Sequence, residues 1–120
     1  MAKSGSTRDT GDNGEEFARA YLVHQGLAIM ETNFVFGREE VDIIAREGEY
    51  LVFCEVKLRK TDTYGAPEYA MTAKKQQSIR RVARGYLVLN RITDQAVRFD
   101  VIAIETSQGR PVIRHLRNAF

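Results

Sequence analysis

Two apolar runs separated by a short polar turn constrain this chain most: Glu40-Val-Asp-Ile-Ile-Ala45 and Tyr50-Leu-Val-Phe-Cys-Glu-Val-Lys57. Both read as strands, in which residues two apart share a face. Glu55 and Lys57 therefore point the same way, with Phe53 behind them, while Val52, Cys54 and Val56 fill the other face. Between the runs is Arg46-Glu47-Gly48-Glu49, and Gly48 can take the positive φ of a tight hairpin turn. A loop at Gly48-Glu49 puts Asp42 opposite Glu55. A loop at Glu47-Gly48 puts Asp42 opposite Phe53, with Glu55 as its diagonal neighbour. Either register brings both carboxylates to one face; a three-residue loop without a bulge would separate them. Charges inside apolar strands are costly to bury unpartnered, and like charges across a ladder are destabilising. A divalent cation held by one or two carboxylates and phosphate oxygens is one arrangement that offsets both effects.

At 120 residues the chain reads as one domain. The expected division is a flexible N-terminal arm over residues 1–11 and a single domain over 12–120. No apolar run approaches the ~20 residues of a membrane span, and Met1–Thr10 lacks the apolar core of a secretory signal. Cytoplasmic residence, with no membrane partner, is the expectation. Cys54 is the only cysteine; its place in a strand makes it a buried apolar filler. His24 and His115 have no ligand-like spacing and are read as non-catalytic.

Element signals give the order αβββαββ. A first helix is predicted over Asn13–Gln25, ending at Gly26, with the stripe Phe17, Ala18, Tyr21, Leu22 and with Glu15 on its inward edge. A strand over Ala28–Phe36 precedes the hairpin. Lys60–Pro67 reads as a loop. A second helix, capped by Thr72 and running to Leu89, has the stripe Ile79, Val82, Ala83, Tyr86, Leu87. Extended back one turn, that stripe reaches Lys75 and Gln76, which should lean toward the sheet. Strands over Val97–Ile104 and Pro111–Leu116 complete the chain. In the former, Asp100 is expected to pair with a basic neighbour.

Charge is unevenly distributed. Residues 57–91 hold nine basic and two acidic side chains, whereas residues 9–55 hold eleven acidic and three basic ones. A basic stripe beside a carboxylate pair suits a phosphodiester: cations for the backbone, anions for a metal. A solvated helix face is the plainer reading of the stripe alone.

Glu15 on a first helix, Glu40-Val41-Asp42 and Glu55-Val56-Lys57 on strands, and Lys75-Gln76 opening a second helix together resemble the PD-(D/E)xK nuclease superfamily. Gly11 to Phe120 is similar to the small bacterial YraN family, itself distantly similar to archaeal Holliday junction resolvases. The run Thr10-Gly-Asp, Phe53–Arg59, Tyr64-Gly65, Arg98-Phe99-Asp100-Val101 and Asn118-Ala119-Phe120 carry that likeness. Val41 stands where the pattern usually has proline, and Glu39 where it often has glycine.

The resemblance implies a restriction-endonuclease-like α/β fold, a central mixed sheet flanked by helices, and Mg²⁺- or Mn²⁺-dependent endonuclease activity on DNA. Asp42 and Glu55, the Val56 carbonyl and Glu15 would hold the metal, and Lys57 would serve the reacting phosphate. Arg59, Lys60, Lys74, Lys75, Gln76, Arg80 and Arg84 are the expected nucleic-acid contacts, with backbone and shape read rather than base sequence. Selectivity for branched or junction DNA is the finer expectation, and dimeric resolvases make a homodimer one candidate assembly. The alternative is a non-catalytic DNA-binding or interaction module on the same fold. RNA stays open as a substrate.

Overall fold

The computed structural model describes residues 9–60 and 71–120, without the side chains of residues 9–13, 59, 60 and 107. Residues 1–8 of the expected arm and 61–67 of the expected loop lie outside the described residues, as do the side chains of Arg59 and Lys60. The order is α1 (Asp9–His24), β1 (Ala28–Phe36), β2 (Glu39–Glu47), β3 (Tyr50–Lys60), α2 (Ala73–Leu89), β4 (Ala96–Ser107) and β5 (Arg110–Leu116). The αβββαββ expectation holds. The five strands form one sheet in sequence order. All neighbours are antiparallel except β3 and β4, which are parallel and joined through α2. A five-stranded mixed sheet flanked by two helices is consistent with a restriction-endonuclease-like fold.

Each helix covers one face of the sheet. Ala18 and Leu22 of α1 pack with Ile43, Ala45, Val52, Cys54, Ile102 and Ile104. Ile79, Val82, Ala83 and Tyr86 of α2 pack with Ile44, Leu51, Phe53 and Val101. This division is the strand alternation made physical: Val52 and Cys54 go to one layer, Leu51 and Phe53 to the other. Burying a side chain such as Phe53 contributes about 1.5–3 kcal/mol. The predicted stripe of α1 needs one correction, because Phe17 is 41% exposed. Helix α1 also begins at Asp9, earlier than Asn13. Glycines at 11 and 14 argue for a late start, but Gly14 packs so closely that a Cβ there would lie 2.7 Å from Leu58 Cδ2. Tertiary contact overrides propensity. Thr72 caps α2 as expected, its Oγ1 accepting the Lys75 amide at 3.1 Å.

A buried polar network also ties the elements together. Asp100 is fully buried. It accepts from Arg98 Nε at 2.9 Å and Nη2 at 3.0 Å, from His115 Nε2 at 2.7 Å and from the Asn118 amide at 3.0 Å. A carboxylate only accepts, so His115 Nε2 donates to Asp100, and Nδ1 hydrogen-bonds the Tyr21 hydroxyl at 3.1 Å. That chain ties α1, β4, β5 and the segment after β5. Burial alone would raise the Asp100 pKa, but hydrogen bonds from His115, Arg98 and Asn118 hold it below the ordinary carboxylate value. Its contribution to stability is present above the unfolded pKa and lost as pH falls through the folded one. Asp100→Ala should cost about 3–5 kcal/mol in urea unfolding at neutral pH, with the gap to wild type narrowing in acid. Arg81→Ala, which removes the exposed pair with Glu39, should leave the urea midpoint nearly unchanged.

Candidate active site

The hairpin uses the Gly48-Glu49 register: Glu47 pairs with Tyr50, and Gly48 has φ +60°. The β2–β3 ladder then runs only as far as Ile43 and Cys54. The reason lies one strand away. Pairing of β1 with β2 passes through Thr32–Ile43 and resumes at Phe34–Val41, so Asn33 and Asp42 sit between rungs. Asn33 has φ +53°, a left-handed conformation that asparagine tolerates. Across this level the facing of β2 changes. Ile43 packs in the α1-side core and Val41 in the α2-side core, although residues two apart on a regular strand share a face. Phe34, opposite Val41, meets the Tyr86 ring of α2 edge-on at 5.1 Å. Both strands therefore kink together, and the tip of the β1–β2 hairpin leans over α2. The uninterrupted alternation expected through Asp42 is broken at Asp42 itself.

Where β2 leaves β3, the Asp42 side chain spans the gap. Its Oδ2 accepts the Val56 amide at 2.8 Å. The Asp42 carboxyl is pushed up to about 7, first by burial and next by the charge of Glu55, with Glu15 and Glu40 adding to it and the Val56 amide opposing. Glu55 is also raised, by burial foremost and by Glu40, against the opposing charges of Lys75 and Lys57. The two carboxyls thus share one poorly solvated electrostatic environment, as a paired site requires. Lys75 Nζ lies 3.5 Å from Glu55 Oε2. Lys75 rather than Lys57 is therefore the ion-pair partner of Glu55. Lys57 is half-buried, two residues beyond Glu55 on β3, and forms no ion pair among the described residues.

The remaining sequence candidates divide. Glu15 is half-buried on α1, and its charge reaches Asp42. Lys74 and Arg84 are exposed on α2. Gln76 is committed locally, its Nε2 donating to the Met71 carbonyl at 2.9 Å. The Arg80 guanidinium lies over the rings of Phe99 and Phe120. Two residues gain importance that sequence reasoning gave to neither. Glu40 acts on both carboxyls, and Asn33 makes the kink. Asn33 Oδ1 is also buried without a hydrogen-bond partner among the described residues. An asparagine inside an otherwise strand-like run was the only trace of it.

Among the described residues, no three His, Cys, Asp or Glu side chains come together as a metal cluster. A structural zinc centre, which needs four protein ligands, does not fit. Mg²⁺ does fit the donor set, because it keeps several waters and takes only one or two carboxylates. Asp42 Oδ1 and the Glu55 carboxylate are the available oxygens. No helix among the described residues is long and apolar enough to cross a membrane.

The family model described as uncharacterised protein family UPF0102 matches residues 14–104. The chain belongs to this family. A UPF0102 protein of Pelobacter propionicus is 47% identical over 116 residues, covering 94% of this chain and 83% of that one. Those of Geobacter sulfurreducens and Geobacter metallireducens are 45% and 42% identical, covering 92% and 94% of this chain and 87% and 93% of theirs. The matched segment of this UPF0102 protein contains Glu15, the Asn33–Asp42 kink, Glu55, Lys57 and α2.

A folded-state Asp42 pKa above its ordinary 3.8 means that the folded chain binds this proton more tightly than the unfolded one. That stabilisation is present in acid and lost as pH rises toward about 7. In metal-free buffer the stability contribution of Asp42 should fall between about pH 4 and 7. Asp42→Asn can keep accepting from the Val56 amide without the charge. It should be more stable than wild type by about 1–3 kcal/mol at pH 8, measured by urea unfolding, with a smaller difference at pH 4. A variant less stable at both pH values would mark Asp42 as a structural aspartate.

Proposed function

We propose that this protein is a divalent-cation-dependent endonuclease of the PD-(D/E)xK type, hydrolysing DNA phosphodiesters, with a preference for branched or junction DNA. The observation that carries this reading is the carboxyl pair Asp42 and Glu55. Both are partly buried, both have raised pKa values, and both sit at a break in the sheet beside Lys57 and Lys75. Such a pair is unfavourable in the free protein, and a cation with a phosphate relieves it. Bound Mg²⁺ or Mn²⁺ supplies Lewis-acid polarisation of a phosphoryl oxygen and activation of water.

The chain's own groups do the rest. Asp42 and Glu55 would hold the cation, and the Val56 amide fixes the Asp42 carboxylate through Oδ2. Glu15 acts at longer range, through its field on Asp42. With Glu55 engaged by a cation, Lys75, now its ion-pair partner, would be available to a flanking phosphate. Lys57 faces the reacting group, where it orients water or offsets charge that develops on the phosphate. Lys74 and Arg84 hold the backbone further along α2. Helix α2 has five basic and no acidic side chains, so binding is mainly electrostatic and salt-sensitive.

A non-catalytic nucleic-acid-binding module is the second reading, favoured by the lack of a third described carboxylate in a metal cluster. Two measurements separate them. Mg²⁺ should raise the melting temperature of wild type by mass action on the folded state, and should leave Asp42→Asn unmoved. In a panel of duplex, single-stranded, forked and four-way DNA, Lys57→Ala should lower cleavage by about 100-fold or more with binding nearly unchanged. Lys74→Ala with Arg84→Ala should instead weaken binding to every substrate and flatten its salt dependence. Wild type that binds DNA but cuts none with either cation, together with Lys57→Ala that weakens binding as much as the α2 changes do, would favour the binding module.

A further inference from the structure

A row of rings runs outward from the core on the α2 face. Tyr86 meets Phe53 at 5.9 Å, Phe53 meets Phe99 at 5.9 Å, and Phe99 meets Phe120 at 5.1 Å. The last contact is a near-parallel stack, with 21° between ring planes. Phe120 ends the row and is only partly buried. No further ring covers it among the described residues. The segment that presents it is anchored: the Ala119 amide donates to the Phe99 carbonyl at 2.6 Å, and the Asn118 amide donates to Asp100 at 3.0 Å. Arg80 lies over both terminal rings, 5.2 Å from the Phe99 centroid and 5.3 Å from that of Phe120. Beside them an open groove of about 230 Å³ is lined by Arg80, Ala83, Arg84, Leu87, Val97 and Phe99.

This surface lies close to the carboxyl pair. Glu55 is in register with Val101, and Phe99 precedes Val101 by two residues on the same face of β4. Strand and ladder spacings put the Phe99 backbone about 8 Å from that of Glu55. Along α2, Arg80 follows Lys75 by five residues, about 7.5 Å of helix. Phe120 lies one ring further out, so one nucleic-acid strand can engage both places within a few nucleotides. A partly exposed ring, a guanidinium against it and a further exposed arginine make the chemistry that takes a nucleobase and its phosphate. A base inside a duplex offers no free face, so the ligand is an unpaired one.

We propose that Phe120, with Phe99 and Arg80, forms a stacking platform for an unpaired nucleobase next to the cleavage site. Resting on the nuclease reading above, it gives that reading a physical basis for selecting branched over continuous duplex DNA. The backbone and shape contacts expected from the sequence then describe only part of recognition.

The test uses the full chain without divalent cations, so that binding is read apart from cleavage. Its probes are a labelled duplex and the same duplex with an unpaired arm. Phe120→Leu keeps an apolar cover over Phe99 but removes the π-face. It should weaken binding to the forked probe by about 5-fold or more and to the duplex by less than about 2-fold. Phe120→Trp should restore fork binding, and an unpaired arm of abasic residues should lose the wild-type advantage. An unchanged Phe120→Leu, or equal losses on both probes, overturns the platform. So does a change of sedimentation mass in Phe120→Leu, which would assign the surface to a second copy of the chain. If wild type still cuts DNA after any of these results, the platform falls and the nuclease reading stands. Wild type that neither binds nor cuts any probe removes both.

Discussion

The site depends on one hydrogen bond at the place where two strands part. Strands β2 and β3 pair as far as Ile43 and Cys54, and just beyond, the Asp42 carboxylate accepts the Val56 amide. That bond satisfies a β3 donor at the end of the ladder. It also holds a negative charge between the layers, next to Glu55. The parting is imposed from β1, where left-handed Asn33 lets both strands of the hairpin turn toward α2. A regular sheet would have left no opening for the carboxyls to share.

The electrostatics follow from that opening. Partial burial raises both carboxyls, and each added acid worsens the situation of Asp42. Compensation comes from β3 and from the first turn of α2, through Lys57 and Lys75. The free protein therefore holds a poised arrangement rather than a relaxed one. By contrast, the buried charge of Asp100 is fully satisfied by Arg98, His115 and Asn118. One carboxyl serves stability; the other two are kept under strain in the same small sheet, which is the pattern expected when buried charge has a use beyond folding.

Much of this was legible in the residues. Period-two alternation and Gly48 yielded the hairpin, and one of the two registers they allowed is the observed one. Extending the α2 stripe back one turn located Lys75 against the sheet, and Thr72 marked the cap. Cys54 is buried and free, and Asp100 pairs with Arg98, as read. The kink was not legible, because Asn33 and Asp42 break the pattern opposite each other and each looks like an ordinary polar strand residue alone. The engagement of Arg80 and Arg81 was hidden for a different reason. Their partners, Phe120 and Glu39, are about forty residues away in sequence, and only tertiary structure brings them together. The early start of α1 was masked in part by Gly14, which serves close packing against Leu58 rather than flexibility.

Direct titration of the two carboxyls addresses the central claim. Carboxyl carbon shifts of Asp42 and Glu55, followed by NMR across pH in metal-free buffer, should show Asp42 ionising near 7 and Glu55 above its ordinary 4.5. The two curves should be mutually dependent, so that Glu55→Gln lowers the Asp42 midpoint. Ordinary, independent midpoints for both groups would contradict a shared, desolvated pair at the break in the sheet.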